Sequence, residues 1–132
     1  MKKYVFDSSA MISFLDGEPN ADKVAVMLEE ININNNRAYL CIINFGEIYY
    51  HFLRTGGDES ANKAIWALNT LPIELIDADR ELTLTAAKYK AFNKISYADA
   101  FASALAEQKK ATLVTGDKEF EQIGKYIKIQ WI

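Results

Sequence analysis

The chain of 132 residues has one cysteine, one histidine and two prolines. A single cysteine, Cys41, excludes an internal disulfide and a thiolate zinc cluster. A single histidine, His51, argues against a metal site built from several imidazoles. No apolar run approaches the length of a membrane span, and the start of the chain has no signal-like region. These absences predict a cytoplasmic protein that makes no use of a membrane.

A basic surplus is also missing, because the formal net charge is −3. The sequence therefore predicts no broad positive surface that would hold nucleic acid by charge alone. Half of the residues are hydrophobic and a quarter are charged, which is ordinary globular composition. Since there are no repeats and no linker-like segments, we expect one domain over residues 1–132.

Short apolar runs alternate with segments of helical periodicity. Helical spacing is clear around residues 24–31, 45–52 and 98–105. An alternation of strands and helices predicts an α/β fold, here a mostly parallel five-stranded sheet with helices on both faces. The predicted strands cover residues 4–6, 38–43, 73–76, 112–114 and 127–131.

Four acidic residues stand where a strand meets a helix or where a helix begins: Asp7, Glu47, Asp99 and Asp117. In a parallel sheet these junctions lie at the carboxyl ends of the strands, where ligands bind. The four residues reach the same edge provided that the fourth strand is parallel. Because close carboxylates repel each other unless a cation lies between them, this pattern predicts a divalent-metal site and hydrolytic chemistry on phosphates.

Helix capping is the alternative interpretation of each acid. The pairs Asn44–Glu47 and Ser96–Asp99 fit the capping box, and Asp7 and Asp117 are suitable N-caps. Taken singly, each acid fits a cap better than a site. Caps do not require that all four residues share one edge, so the combination favours a site.

The motifs resemble those of a PIN domain, and most closely the compact ribonuclease toxins of VapBC-type toxin–antitoxin pairs. The resemblance covers essentially the whole chain. It rests on Asp7-Ser8-Ser9, on Glu47 in the helix after the second strand, on Ile95-Ser96-Tyr97-Ala98-Asp99-Ala100, and on Leu113-Val114-Thr115-Gly116-Asp117 followed by Phe120. Asn44 departs from the pattern, since many relatives carry a hydroxyl or another small residue there.

This resemblance implies a metal-dependent endoribonuclease, the toxin of a toxin–antitoxin pair. Carboxylate ligands select hard cations such as Mg²⁺ or Mn²⁺. We expect Asp7 and Asp99 to be the principal ligands, with Glu47 and Asp117 binding directly or through water. Ser8 and Thr115 would orient these ligands.

The substrate and partners are expected from the same resemblance. Four basic residues near the acids in sequence are candidates for contacts with RNA phosphates: Arg54, Lys88, Lys90 and Lys94. A solvated basic patch is an equally good interpretation of them. The family also implies a homodimer and a cognate antitoxin that blocks the acidic cleft. The apolar stretch 45–53 is compatible with such an interface.

Two other classes of function stay open. One is another α/β enzyme that handles phosphates, although an aspartyl phosphatase requires an acid where Ser9 stands. A phospho-receiver domain would use Asp77 and lacks its paired acids near Asp7. The other is a non-catalytic PIN-like domain that binds protein or RNA, because the presence of four acids does not prove activity.

Overall fold

The computed structural model describes residues 1–132 as five strands, five α-helices and one 3₁₀ helix. In chain order the elements are β1 (Lys3–Phe6), α1 (Ser8–Leu15), α2 (Ala21–Ile33), β2 (Arg37–Cys41), α3 (Ile42–Asn69), β3 (Glu74–Ile76), α4 (Arg80–Phe92), α5 (Tyr97–Lys109), β4 (Thr112–Thr115), the 3₁₀ helix (Lys118–Ile123) and β5 (Ile129–Trp131). No helix combines the length and the apolar character that a membrane crossing requires.

The five strands form one sheet in the order β3-β2-β1-β4-β5. Every neighbouring pair is parallel, and the central residue Val5 pairs with Tyr39 on one side and Leu113 on the other. The predicted α/β fold with a five-stranded sheet is therefore confirmed, including the parallel direction of the fourth strand. All five strands end at one edge, which we call the carboxyl edge, and all begin at the opposite amino edge.

One boundary differs from the sequence prediction. β2 ends at Cys41, and Ile42 and Ile43 belong to α3 rather than to the strand. Within α3 the chain kinks at Gly57, which has φ 77° and ψ −172°, and then resumes a helix. Glycine adopts this conformation without the steric cost that a side chain would add.

Alternate residues of the strands feed two cores, one on each face of the sheet. Phe6, Leu40 and Val114 pack on the face that α1, α2 and α3 cover. Val5 and Leu113 point to the other face, which α4 and α5 cover. Near-continuous apolar strands are the expected result, because a parallel sheet is buried on both faces.

Alanine lets α5 lie close to the sheet. Its alternating small residues Ala100, Ala102, Ala104 and Ala106 are all buried, and the helix contacts β1, β2 and β4. Alanine also has the highest helix propensity. Because α5 leads directly into the amino end of β4, its first turn, which contains Asp99, lies at the carboxyl edge.

Candidate metal centre and active site

Asp7 is the single residue between β1 and α1, and it is fully buried. Its carboxylate accepts hydrogen bonds from the Ser9 hydroxyl at 2.8 Å and from the backbone N–H of Ala10 at 2.8 Å. The Thr115 hydroxyl, at the end of neighbouring strand β4, also donates to it. These donors hold the side chain in one orientation at the carboxyl edge.

Glu47 is held by two side chains from different elements. The Ser8 hydroxyl donates to Glu47 Oε1 at 2.8 Å, and the Asn44 amide donates to the same oxygen at 3.1 Å. The Asn44 amide also donates to the carbonyl oxygen of Ala98 at 3.2 Å, which ties α3 to the start of α5. Glu47 is thus fixed beside the first turn of the helix that carries Asp99.

Asp99, Asp117 and Glu119 form a group of acids that could hold a metal ion. One carboxylate oxygen from each lies within 4.8 Å of the other two. Asp99 is buried, Asp117 is half-buried and Glu119 is exposed, so the group opens to solvent on one side. Such a set of oxygen ligands matches the preference of a hard divalent cation.

The electrostatics of the acids agree with a crowded negative cleft. Burial raises the pKa of Asp7 to about 6. The hydrogen bonds from Thr115, Ala10 and Ser9 lower this pKa, and repulsion from the Asp117 carboxylate raises it further. Burial raises the pKa of Asp99 to about 7. Repulsion from the carboxylates of Asp117, Asp7 and Glu47 adds to that increase, in this order. All four acids predicted from the sequence are therefore close enough to interact.

No basic side chain neutralises this group. The ion pairs of the chain join Arg37 to Glu74, His51 to Asp16, and Lys63 to Glu59, and none includes an acid of the cleft. Buried charge without a partner is unfavourable. The carboxylate oxygens of the cleft are therefore suitable ligands for a bound cation.

The capping interpretation holds for some acids and fails for others. Asp7 caps α1, and Asp117 caps the 3₁₀ helix by accepting from the N–H of Glu119 at 2.9 Å. The capping box at Asn44–Glu47 is wrong, because α3 already begins at Ile42 and Glu47 is its sixth residue.

Asp99 is not a cap. The Ser96 hydroxyl caps α5 by accepting from the backbone N–H of Asp99 at 3.0 Å. The Ser96 side chain also hydrogen-bonds the Asp99 carboxylate, which lowers the pKa of Asp99, although this is the smallest of the effects on that pKa. Asp99 therefore makes a contact at the helix start, but burial and the neighbouring carboxylates have a larger effect on its pKa than this contact does.

Three residues of the site were not predicted from the sequence: Ser9, Asn44 as a hydrogen-bond donor to Glu47, and Glu119. Ser9 lay in the Asp7-Ser8-Ser9 motif, and Glu119 stands two residues after Asp117, so the signals were present but weak. Asn44 is fully buried, and its Oδ1 atom has no hydrogen-bond partner. This orphaned acceptor lies next to the Glu47 carboxylate and adds to the polar character of the cleft.

The four basic residues predicted to contact RNA lie outside the acidic group. The Arg54 guanidinium lies 5.7 Å from the ring centre of Tyr50 on α3. Lys90 Nζ donates to the carbonyl oxygen of Ile95 at 2.7 Å. Lys88 is exposed on α4, and the exposed Lys94 follows that helix. Lys90 thus has a structural role, whereas the other three side chains are free to meet a ligand.

Comparison with known proteins shows the family of this chain. A family model described as a PIN domain matches residues 4–126. A search of curated protein sequences found no match.

Solved structures with a similar fold include complexes of toxin–antitoxin pairs. VapBC2 from Rickettsia felis, bound to a DNA fragment from its promoter, gives a TM-score of 0.80 at 19% identity over 97% of both chains. VapC20 from Mycobacterium tuberculosis, a toxin that cleaves the sarcin-ricin loop, gives 0.73 at 14% identity over 92% of this chain and 95% of that one. VapBC-1 from nontypeable Haemophilus influenzae gives 0.72 at 21% identity over 98% and 97%.

Proposed function

This chain belongs to the PIN domain family, and on that premise we propose that it is a divalent-metal-dependent endoribonuclease, the toxin of a toxin–antitoxin pair. One observation carries the proposal. Acids from four separate parts of the sequence meet at the carboxyl edge, where Asp117, Asp7 and Glu47 raise the pKa of Asp99, and none of the four has a basic partner. Capping alone does not require this convergence.

Each side chain has a role in the proposed site. Asp7, Glu47, Asp99 and Asp117 hold Mg²⁺ or Mn²⁺, directly or through water, and Glu119 joins them at the solvent side. When bound, a hard cation polarises a phosphodiester and lowers the pKa of a water molecule in its coordination shell. Ser8 orients Glu47, while Ser9 and Thr115 orient Asp7.

RNA cleavage by purified protein tests the proposal. Mixed RNA is incubated with Mg²⁺, with Mn²⁺ and with excess chelator, and the products are separated by size. We expect internal cleavage only with metal. Asp7→Asn should lose activity, because it removes a negative ligand with little change of volume. Asp58→Asn, an exposed aspartate on α3, makes the same change of charge away from the cleft and should cleave normally.

Two results would contradict the enzyme. One is cleavage that continues in chelator, and the other is cleavage by folded Asp7→Asn, with folding checked by circular dichroism. If the wild type binds RNA or protein but never cleaves, the non-catalytic PIN-like domain is the better description.

If the protein is a toxin, its partners are a cognate antitoxin and a second copy of the same chain. The structural neighbours are toxin–antitoxin proteins, which supports an antitoxin partner for this chain. The homodimer and the cytoplasmic location are proposed from the resemblance to that family alone. The exposed apolar side chains of α3 offer a surface for them: Tyr49, Tyr50, Leu53 and Trp66. RNA would meet Arg54, Lys88 and Lys94, which lie outside the acidic group.

Growth and mass measurements test this part. Induced expression of the wild type should arrest growth of a bacterial host, while Asp7→Asn should not. Sedimentation of the purified protein should give twice the mass of one chain. If the host grows normally while it expresses the wild type, and the purified protein cleaves RNA, the protein is a ribonuclease but not a toxin.

A further inference from the structure

Four lysines lie together at the amino edge of the sheet, opposite the acidic cleft. Lys2 and Lys3 stand at the start of β1, Lys110 lies two residues before β4, and Lys128 directly precedes β5. They line a surface depression of about 490 Å³ together with Thr112 and Gln130. No acidic residue lines it. We call these four residues the amino-edge lysine cluster.

The fold gathers this cluster from distant parts of the chain. β1, β4 and β5 are adjacent and parallel, with Tyr4 paired to Thr112 and Leu113 paired to Ile129. The backbone N–H of Leu113 also donates to the carbonyl oxygen of Lys128 at 2.9 Å. Residues that precede three parallel strands in register must lie side by side.

The lysines of the cluster have no partners on the protein. None of the three ion pairs of the chain includes them. Lys2, Lys110 and Lys128 are exposed, and Lys3 is half-buried. In a chain of net charge −3, four unpaired cations around an acid-free depression are a local concentration of positive potential that attracts anions.

We propose that the amino-edge lysine cluster binds the phosphate backbone of RNA. Neighbouring strands lie about 4.8 Å apart, so the cluster extends roughly 10 Å across three strands. An open row of charges of this width suits the repeated phosphates of a nucleic acid better than one small anion. The depression has no buried charged or polar side chain that would enclose a single ion.

The position of the cluster complements the acidic cleft. Carboxylates repel phosphates, so most of the electrostatic affinity for RNA must come from elsewhere on the protein. β4 has four residues, and at about 3.3 Å per residue the two edges are roughly 13 Å apart. One folded RNA can therefore reach both edges. This inference rests on the proposed function for the identity of RNA, but binding without metal tests it separately from cleavage.

The experiment measures binding of a labelled structured RNA in chelator, across salt concentrations, so that no cleavage occurs. The test variant is Lys110→Asn/Lys128→Gln. Lys110 has φ 53°, a left-handed conformation that asparagine accepts, and Lys128 is exposed. Lys2→Gln/Lys128→Gln is a second variant that leaves the end of α5 unchanged. Lys23→Gln/Lys63→Gln removes two exposed lysines from α2 and α3 as the control.

We expect both test variants to reduce the slope of log affinity against log salt by about 1.4, which corresponds to binding about 25-fold weaker at 0.1 M salt. The control should bind as the wild type does. Duplex DNA and polyglutamate are measured in parallel. Unchanged affinity and slope for RNA in the test variants would overturn the proposal, and so would the absence of RNA binding by the wild type. A loss confined to DNA or to polyglutamate would overturn the assignment to RNA.

The outcome separates the two proposals. If the test variants lose RNA binding and the wild type never cleaves RNA with Mn²⁺, RNA binding by the lysine cluster is supported and the proposed ribonuclease activity is wrong. If the wild type cleaves RNA and the lysine variants bind RNA as tightly as the wild type, the ribonuclease activity is supported and the role of the lysine cluster is wrong.

Discussion

Asp99→Asn should stabilise the metal-free protein, because Asp99 is destabilised by its surroundings. Burial and three neighbouring carboxylates raise its pKa from the ordinary value of 3.8 to about 7. A difference of this size corresponds to about 4 kcal/mol of cost to the folded state when the group is ionised, at 1.36 kcal/mol per pKa unit. Because the cleft is open to solvent at Glu119, screening reduces this figure, and we use about 1–2 kcal/mol.

The sign of the effect follows from proton linkage. Since the pKa of Asp99 is higher in the folded protein than in the unfolded chain, the folded state retains a proton between about pH 4 and pH 7. The stabilisation by this proton is lost as the pH rises through 7. The advantage of Asp99→Asn over the wild type should therefore be largest at pH 8 and fall to less than half at pH 5.

Thermal melts with chelator and with Mn²⁺ measure both consequences. For a chain of this length, 1 kcal/mol shifts the melting temperature by about 3–5 °C, so Asp99→Asn should melt roughly 3–10 °C higher in chelator at pH 8. Mn²⁺ at a hundredfold excess over its dissociation constant should stabilise the wild type by about 2.7 kcal/mol, and Asp99→Asn much less. Asp58→Asn is the control and should follow the wild type in both conditions.

The reasoning is refuted by the opposite pattern. If Asp99→Asn melts below the wild type in chelator at pH 8, and Mn²⁺ leaves the wild-type melting temperature unchanged, the carboxylate supports the fold and holds no metal.

Two further predictions concern the same cleft. In chelator, wild-type stability should fall as the pH rises from about 4 to 7, because the pKa values of Asp7 and Asp99 are about 6 and about 7 in the folded protein. The urea concentration at the unfolding midpoint, measured across this pH range, tests the prediction. A midpoint that rises with pH or stays constant argues against the crowded cleft. Asn44→Ala should lower stability by about 1–3 kcal/mol, because it removes two hydrogen bonds from a buried residue. It should also slow RNA cleavage by freeing Glu47, and a variant as stable and active as the wild type contradicts this role of Asn44.

The periodicity of the apolar residues was sufficient to predict the class of fold from the sequence. Alternating strands and helices predicted a mostly parallel five-stranded sheet. The structure confirms the five-stranded sheet and shows that all of its strands are parallel. Boundaries were less accurate at β2, where the apolar run 38–43 continues without a break into α3. Isoleucine is common in strands and also tolerated in a buried helix, so residue type alone did not separate Ile42 and Ile43 from the strand.

The four acids could be selected from the sequence because a general rule places them. The carboxyl ends of parallel strands share one edge, and the structure brings Asp7, Glu47, Asp99 and Asp117 together there. Their supporting contacts follow no such rule. Whether Glu47 is held by Ser8 and Asn44, or caps its own helix, depends on where α3 begins, and that boundary was misplaced.

The sequence by itself determined the class of fold and the acidic edge, because both follow from local periodicity and from residues at strand ends. Only the tertiary structure decided which side chains touch. Thr115 donates to Asp7 across 108 positions of the chain, and the amino-edge lysine cluster joins residues near position 3 to residue 128. Such contacts depend on strand order and register, which are set by the packing of the helices on both faces of the sheet rather than by any local pattern.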